Sequence, residues 1–319
     1  MKLPLPAIII LLTVASTRAA EPASSLGTDG SQQPAQKSVE KPADPPSTPK
    51  RTPQNITPAL KAAADLAQAG RLMDAEHLAA ALKAPTREKL ALSPPSQTRL
   101  SGREIAERAR AGFVRVGWYY HCSGCGNWHI NAAGGYAIAA DAVATARHVL
   151  EPPAKMRNAE GFPIAIRGES DVLPVLAIVV ADKDADAAVV RLGASNLTPL
   201  PLADDVRVGD AVYCLSDPHG VRDYFSSGIV NRFFSTNPAL GKDPRFQRLN
   251  VSTDWAPGSS GAAILDEHGS VVGHVARISS IFNDQQAPEA ADHAGAKPAT
   301  LMNLHEAVPA KSVLGLLAK

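Results

Sequence analysis

The chain has 319 residues, a formal charge of +1 at pH 7 and 45% hydrophobic residues. That length allows one or two domains with a sizeable core. The near-zero charge gives no electrostatic footprint for nucleic acid or for a strongly acidic partner, so neither is expected.

The N-terminus reads as a secretory signal peptide over residues 1–19. Lys2 is the basic flank, Leu3 to Val14 the apolar run, and Thr17-Arg18-Ala19 the cleavage region. The run is short for a bilayer span and is interrupted by Pro4 and Pro6. No other stretch is suited to crossing a membrane. The mature protein is therefore expected to be exported, periplasmic or extracellular, with no stable membrane insertion. Residues 20–58 are rich in Pro, Ser, Gln, Lys and Asp without apolar periodicity. Such a segment buries too little surface to offset the entropy of ordering, which predicts a disordered, proline-stiffened linker.

Residues 59–110 read as a helical extension. Leu60, Ala63, Ala64 and Ala67 share one helical face, as do Ala75, Leu78 and Leu82, with Gly70 at the break between them. Ser101-Gly102-Arg103-Glu104 has capping-box spacing, which predicts a further helix entering Ile105. From Phe113 the pattern changes to short β-branched runs such as Phe113–Val116, Ala177–Val180, Ala211–Leu215 and Val271–Val275, separated by Gly, Pro and Asp. Many short strands with turn signals predict a sandwich or barrel. No long helical pattern alternates with them, which argues against a parallel α/β sheet.

Three segments carry chemistry. Ala144-Thr145-Ala146-Arg147-His148-Val149 leads from an apolar strand to a histidine. Asp182-Lys183-Asp184-Ala185-Asp186 opens the strand Ala187–Leu192 and offers three acids. Ala256-Pro257-Gly258-Ser259-Ser260-Gly261 is a tight turn that exposes a serine beside backbone N–H groups, as acyl transfer requires. Taken singly, each has a plain structural reading: a packed histidine, a solvated strand start, a Gly/Ser turn. Together they run His, Asp, Ser, the chain order of the chymotrypsin-type triad.

On these residues the chain from about Phe113 to Lys319 resembles a trypsin-like serine protease domain, above all the HtrA (Deg) type. Further similarities follow in family order: Val206-Arg207-Val208-Gly209-Asp210, Asp217-Pro218-His219-Gly220, Ser226-Ser227-Gly228-Ile229-Val230 and Ala307-Val308-Pro309-Ala310. The resemblance implies a mainly β, chymotrypsin-like fold of two packed antiparallel β-barrels over residues 111–319, with a boundary near 195–203 and a short N-terminal helical extension. It implies Ser260 as nucleophile, His148 as general base and Asp186 as the orienting acid. Asp186 is preferred over Asp182 and Asp184 because the run after it matches the family. The backbone N–H groups of Gly258 and Ser260 would form the oxyanion hole. The expected activity is that of an exported serine endopeptidase acting on polypeptides without a cofactor. The alternative is an inactive protease-fold module that binds peptides or scaffolds the envelope. Three alanines depart from the family pattern: Ala262 and Ala263 replace Gly-Pro, and Ala276 replaces a Ser or Thr near the aspartate. After Lys319 the peptide-binding PDZ module usual in HtrA proteins is not expected.

For specificity, Asp254 stands six residues before Ser260, where trypsin places its acid, whereas Ile278 falls where HtrA enzymes have an isoleucine at the pocket mouth. A branched side chain there favours small aliphatic residues over Arg or Lys. Finally, Cys122-Ser123-Gly124-Cys125 lies between His121 and His129. A disulfide is the first expectation in an exported chain, and structural zinc held as Cys₂His₂ by Cys122, Cys125, His121 and His129 is the alternative. Cys214, in an alternating strand, reads as core.

Overall fold

In the computed structural model, which describes residues 57–193, 196–282 and 300–318, the chain enters through helices. The expected signal peptide and the linker up to residue 56 lie outside the described residues. The first helix begins two residues inside the expected linker: α1 spans Thr57–Gln68 and α2 spans Ala75–Lys83. Gly70 between them has φ +64°, the left-handed conformation that ends a helix at little cost. Asp74 caps α2 by accepting from the His77 amide at 2.8 Å. The predicted capping box is present at α3 (Gly102–Gly112), where Glu104 Oε2 accepts from the Ser101 amide at 2.7 Å.

Seven strands follow: β1 (Arg115–Cys122), β2 (Trp128–Ala133), β3 (Tyr136–Ala139), β4 (Ala142–Thr145), β5 (Met156–Arg167), β6 (Asp171–Asp182) and β7 (Ala187–Leu192). They form one antiparallel sheet in the order β2-β1-β5-β6-β7-β4-β3. A bridge from Phe113 to Tyr136 carries the β3 edge back to the start of β1, curling the sheet towards closure. Alternate β1 residues Val116, Trp118 and Tyr120 pack inward with Val143, Ile178 and Val190. Tyr119 faces the other way, onto α1. The closest-packed α1 residues are Ala63, which is on the expected face, and Ala59, which was not assigned to it, and their small size lets the helix lie against Tyr119 and Ile166.

The second half is a closed antiparallel barrel in the order β10-β13-β12-β11-β8-β9. Its strands are β8 (Ala211–Ser216), β9 (Tyr224–Ser235), β10 (Gln247–Val251), β11 (Ala263–Leu265), β12 (Val271–Phe282) and β13 (Thr300–Pro309), followed by α4 (Ala310–Leu317). Two β units with a short helical extension are thus the observed architecture, as expected. The connection joins the second barrel early, since Ala203 N–H donates to the Val271 carbonyl at 2.9 Å. A shared core of Tyr136, Ile138, Val179, Leu265, Val271 and Val308 welds the halves together. No helix among the described residues is long and apolar enough to cross a membrane.

The helical extension is part of this packing. Leu78 of α2 is 1% exposed and inserts into the first core beside Val116 and Ile178. Leu78→Ala should therefore cost roughly 2–5 kcal/mol, from lost burial plus the residual cavity. Urea denaturation measures it, and a change below about 1 kcal/mol would mean that α2 is a loosely held appendage.

Candidate active site

Strand register brings the first two candidates together. Thr145 at the end of β4 pairs with Ala188 near the start of β7, so the chain just after β4 lies beside the residue just before β7. A single helical turn, Arg147–Leu150, then carries His148 to Asp186. His148 Nδ1 lies 2.9 Å from Asp186 Oδ2 and 3.1 Å from Oδ1, and the His148 amide donates to Oδ1 at 3.0 Å. A carboxylate only accepts, so Nδ1 carries the proton and Nε2 is left free. The Asp186 hydrogen bond raises the His148 pKa above its ordinary value, against the opposing effect of burial. Burial pushes the Asp186 carboxyl up, but its hydrogen bond and charge interaction with His148 prevail and hold it low.

Among the described residues, neither competing acid bonds His148. Asp182 Oδ1 accepts from the Ala185 amide at 2.9 Å and so shapes the turn, while the Asp184 carbonyl accepts from Arg248 Nη2 at 2.9 Å. That turn ends with Asp186 itself at φ +53°, a left-handed conformation that aspartate tolerates better than most residues.

The Ser260 turn lies against the same segment from the other side. Gly258 has φ +104° and Gly261 φ +80°, while Ala262 and Ala263 are not among the positive-φ residues. The two alanines therefore do not strain the turn. A side chain on Gly261 would collide with Thr145 Oγ1 and the Gly134 carbonyl, and would come within 2.8 Å of the Ala146 nitrogen, two residues before His148. Among the described residues, no hydrogen bond joins Ser260 to His148; such contacts commonly tighten only with substrate. The Ser259, Gly261 and Ala262 amides are used by the turn and by Val275, donating at 3.0, 2.7 and 3.0 Å. The Gly258 and Ser260 amides donate to no backbone carbonyl among the described residues.

Residues 133–273 match the trypsin-like peptidase domain family. This stretch is a trypsin-like peptidase domain. Serine protease PepD of Mycobacterium tuberculosis is 36% identical over 115 residues, 34% of this chain and 25% of the relative. The probable periplasmic serine endoprotease DegP-like of Halomonas elongata is 32% identical over 98 residues, 30% of this chain and 20% of the relative. These alignments span only about a quarter of the relatives' length. The solved structure of the HtrA-type protease AlgW with decapeptide superposes with a TM-score of 0.51 at 16% identity, covering 69% of this chain and 67% of that one. The fold is accordingly chymotrypsin-like.

The structure also supplies supporting residues: His274, Tyr136 and Arg115 were marked by no motif, while Asp217 and His219 lie in the Asp217–Gly220 segment. His274 on β12 is fully buried, and its Nε2–H donates to the Asp186 carbonyl at 3.1 Å. Its Nδ1 accepts from the Tyr136 hydroxyl at 3.4 Å. Ala276 lies nearby in the shared core without a polar group, so the Asp186 backbone is tied through His274 instead. On the side of Gly258, the buried Asp217 carboxylate binds Arg115 Nε at 2.6 Å, Arg222 Nη1 at 3.1 Å and the Asp223 amide at 3.0 Å. His219 N–H then donates to the Pro257 carbonyl at 2.7 Å, bracing the loop that leads to Ser260.

The remaining candidates separate. Asp254 is exposed, and its amide donates to Ser226 Oγ at 3.2 Å. Ile278 is half-buried against the second barrel's core, which includes Trp255. Cys122, Cys125 and His129 do converge, their ligand atoms all within 4.8 Å of one another, and the sulfurs are unbonded. His121 does not join them, which corrects the alternative Cys₂His₂ set. β1 and β2 alternate faces, so His129 sits opposite Tyr120, whereas His121 sits opposite Trp128 on the other side. There His121 bonds Glu160 Oε2 at 2.5 Å and the Gly126 carbonyl at 2.9 Å. Cys214 is buried in the second barrel's core, as expected.

Burial lowers the His274 pKa from 6.5 to about 4, so the folded protein keeps this ring neutral. Above pH 6.5 neither state binds the proton. As the pH falls towards 4 the unfolded chain takes up a proton that the fold excludes, and stability drops by roughly 3 kcal/mol at about 1.4 kcal/mol per pKa unit. His274→Gln, which keeps a neutral donor, should flatten this loss in urea titrations between pH 6.5 and 4. Equal pH dependence in both proteins would show that His274 is not the titrating group.

Proposed function

We propose that the chain is an exported serine endopeptidase using His148, Asp186 and Ser260. The observation that carries this reading is the His148–Asp186 pair. Both carboxylate oxygens face Nδ1, leaving a free and more basic Nε2 in the segment packed against the Ser260 turn. Ser260 attacks the scissile carbonyl while His148 Nε2 takes its proton. The resulting imidazolium is stabilised by Asp186, and His148 returns the proton to the leaving amine. The unengaged Gly258 and Ser260 amides are the donors for the oxyanion, in a turn braced by Asp217 and by Gly261. Water then repeats the sequence to release the acyl group. Export is supported by the N-terminal sequence pattern and by periplasmic relatives, the DegP-like protein and a do/HhoA-like protease of Haemophilus influenzae.

Ser260→Ala should lower kcat on casein by a factor on the order of 10⁶ and abolish fluorophosphonate labelling. Ser259→Ala is the paired control. The Ser259 hydroxyl is buried and unpartnered, so its removal should leave labelling intact. Wild-type cleavage by the Ser260→Ala protein would sink the assignment. A wild-type chain that folds but neither labels nor cleaves would favour the peptide-binding alternative.

For specificity, the half-buried Ile278, packed against the core that includes Trp255, supports a substrate side chain that is small and aliphatic. Asp254 is exposed, and a cationic substrate group stopped short of it would lose solvation without gaining a partner. Burying a small apolar group contributes about 1–3 kcal/mol instead. Casein cut sites mapped by mass spectrometry should lie mostly after Ala, Val or Leu. A majority after Arg or Lys would show that Asp254 reaches the bound side chain.

A further inference from the structure

We infer that Cys122, Cys125 and His129 form a zinc(II) site at the tip of the β1–β2 hairpin. The three ligand atoms lie within 4.8 Å of one another, and Cys125 Sγ is 2.9 Å from His129 Nε2. Zinc binds thiolate at about 2.3 Å and imidazole at about 2.0–2.1 Å, so the group closes on an ion by small side-chain rotations. Two thiolates and one imidazole suit zinc among the common divalent ions, and they neutralise its charge.

The backbone has already built the sulfur cradle. Cys122 N–H donates to the Asn127 carbonyl at 2.9 Å, and Gly126 N–H donates back to the Cys122 carbonyl at 3.0 Å. Gly126 at φ +69° makes this tight return possible. Ser123 N–H fixes the loop to the Lys155 carbonyl at 2.8 Å. Within this frame the Gly124 amide points at Cys122 Sγ, at 3.4 Å, and the Cys125 amide donates to the same sulfur. Amides aimed at sulfur stabilise the thiolate form that a metal requires. A Cys122–Cys125 disulfide would give those amides a weaker, neutral acceptor and deprive His129 of its thiol partner. His121 holds the turn from behind by donating to the Gly126 carbonyl at 2.9 Å.

Cys125 and His129 are exposed, so a water or small ligand takes the fourth position. The hairpin forms the β2 edge of the sheet, and among the described residues neither Cys122, Cys125 nor His129 bonds His148, Asp186 or Ser260. The ion therefore staples the hairpin rather than serving the reaction, and the site stands or falls independently of the peptidase reading.

The test uses the full chain, purified without chelator and analysed for metal. The protein is then stripped and titrated with Zn²⁺ against a chromophoric chelator, and separately with Co²⁺. The expected result is one equivalent of Zn²⁺ and the intense visible bands of tetrahedral cobalt with sulfur-to-metal charge transfer. Cys125→Ser and His129→Ala should each weaken Zn²⁺ binding by at least about a hundredfold, beyond the roughly 10–100-fold cost of losing a supporting residue. His121→Gln should stay within about tenfold. Circular dichroism checks that each variant is folded; Cys125 and His129 are exposed, so both substitutions should be tolerated. Substoichiometric metal with no Zn²⁺ uptake after stripping would overturn the proposal, as would wild-type affinity in folded Cys125→Ser. So would an intact Cys122–Cys125 disulfide in protein recovered from an exporting host.

Discussion

The two β units meet at Gly261 with no room for a side chain. Its missing Cβ is replaced by Thr145 Oγ1, the Gly134 carbonyl and the Ala146 nitrogen, and its φ of +80° is one that L-residues rarely adopt. Thr145 Oγ1 donates to the Gly134 carbonyl at 2.7 Å, closing the first unit's side of the contact. Gly261 N–H donates to the Val275 carbonyl at 2.7 Å, anchoring the other side. Ser260 is one residue from this contact, and His148 is two residues from Ala146. The relation between candidate nucleophile and base is therefore set by a backbone contact, which is stiffer than any pair of side-chain hydrogen bonds.

A second constraint acts on Asp186. Its left-handed backbone would be free to relax were it not held at both ends. The carboxylate is gripped by His148, and the carbonyl receives a hydrogen bond from His274, whose ring comes from the second barrel. The Arg115–Asp217 pair also crosses between the units, joining β1 to the loop that touches Gly258. A buried ion pair adds little net stability after desolvation, so its value here lies in fixing the loop. Each part of the site thus leans on the other β unit, and the shared core around Tyr136, Leu265 and Val271 keeps the two from separating.

Much of this was legible along the chain. The helix stop at Gly70, the capping box at Ser101 and the β-branched strands are local properties, governed by φ preferences and by hydrogen bonds over three or four residues. The acid of the pair could be chosen among Asp182, Asp184 and Asp186 because the apolar run after it had the right order. His121 shows the limit of motif reading. It adjoins Cys122 in sequence, yet strand alternation turns it to the opposite face, where it meets Trp128 and Glu160. That outcome follows from a period of two, provided the strand is known to extend through Cys122.

Residue types and short-range pattern were enough to mark which residues could do chemistry, where strands and helices begin, and the order in which His148, Asp186 and Ser260 arrive. Those properties depend on side-chain type and on neighbours a few positions away. What holds these residues in place emerges only when the two β units dock. His274 sits in the apolar run Val271–Val275 and Arg115 at the start of an ordinary strand, and nothing local distinguishes either from core or surface. Their partners, Asp186 and Asp217, lie 88 and 102 residues away in the chain. Contacts of that span arise from the docking of two separately paired sheets, which no local preference encodes.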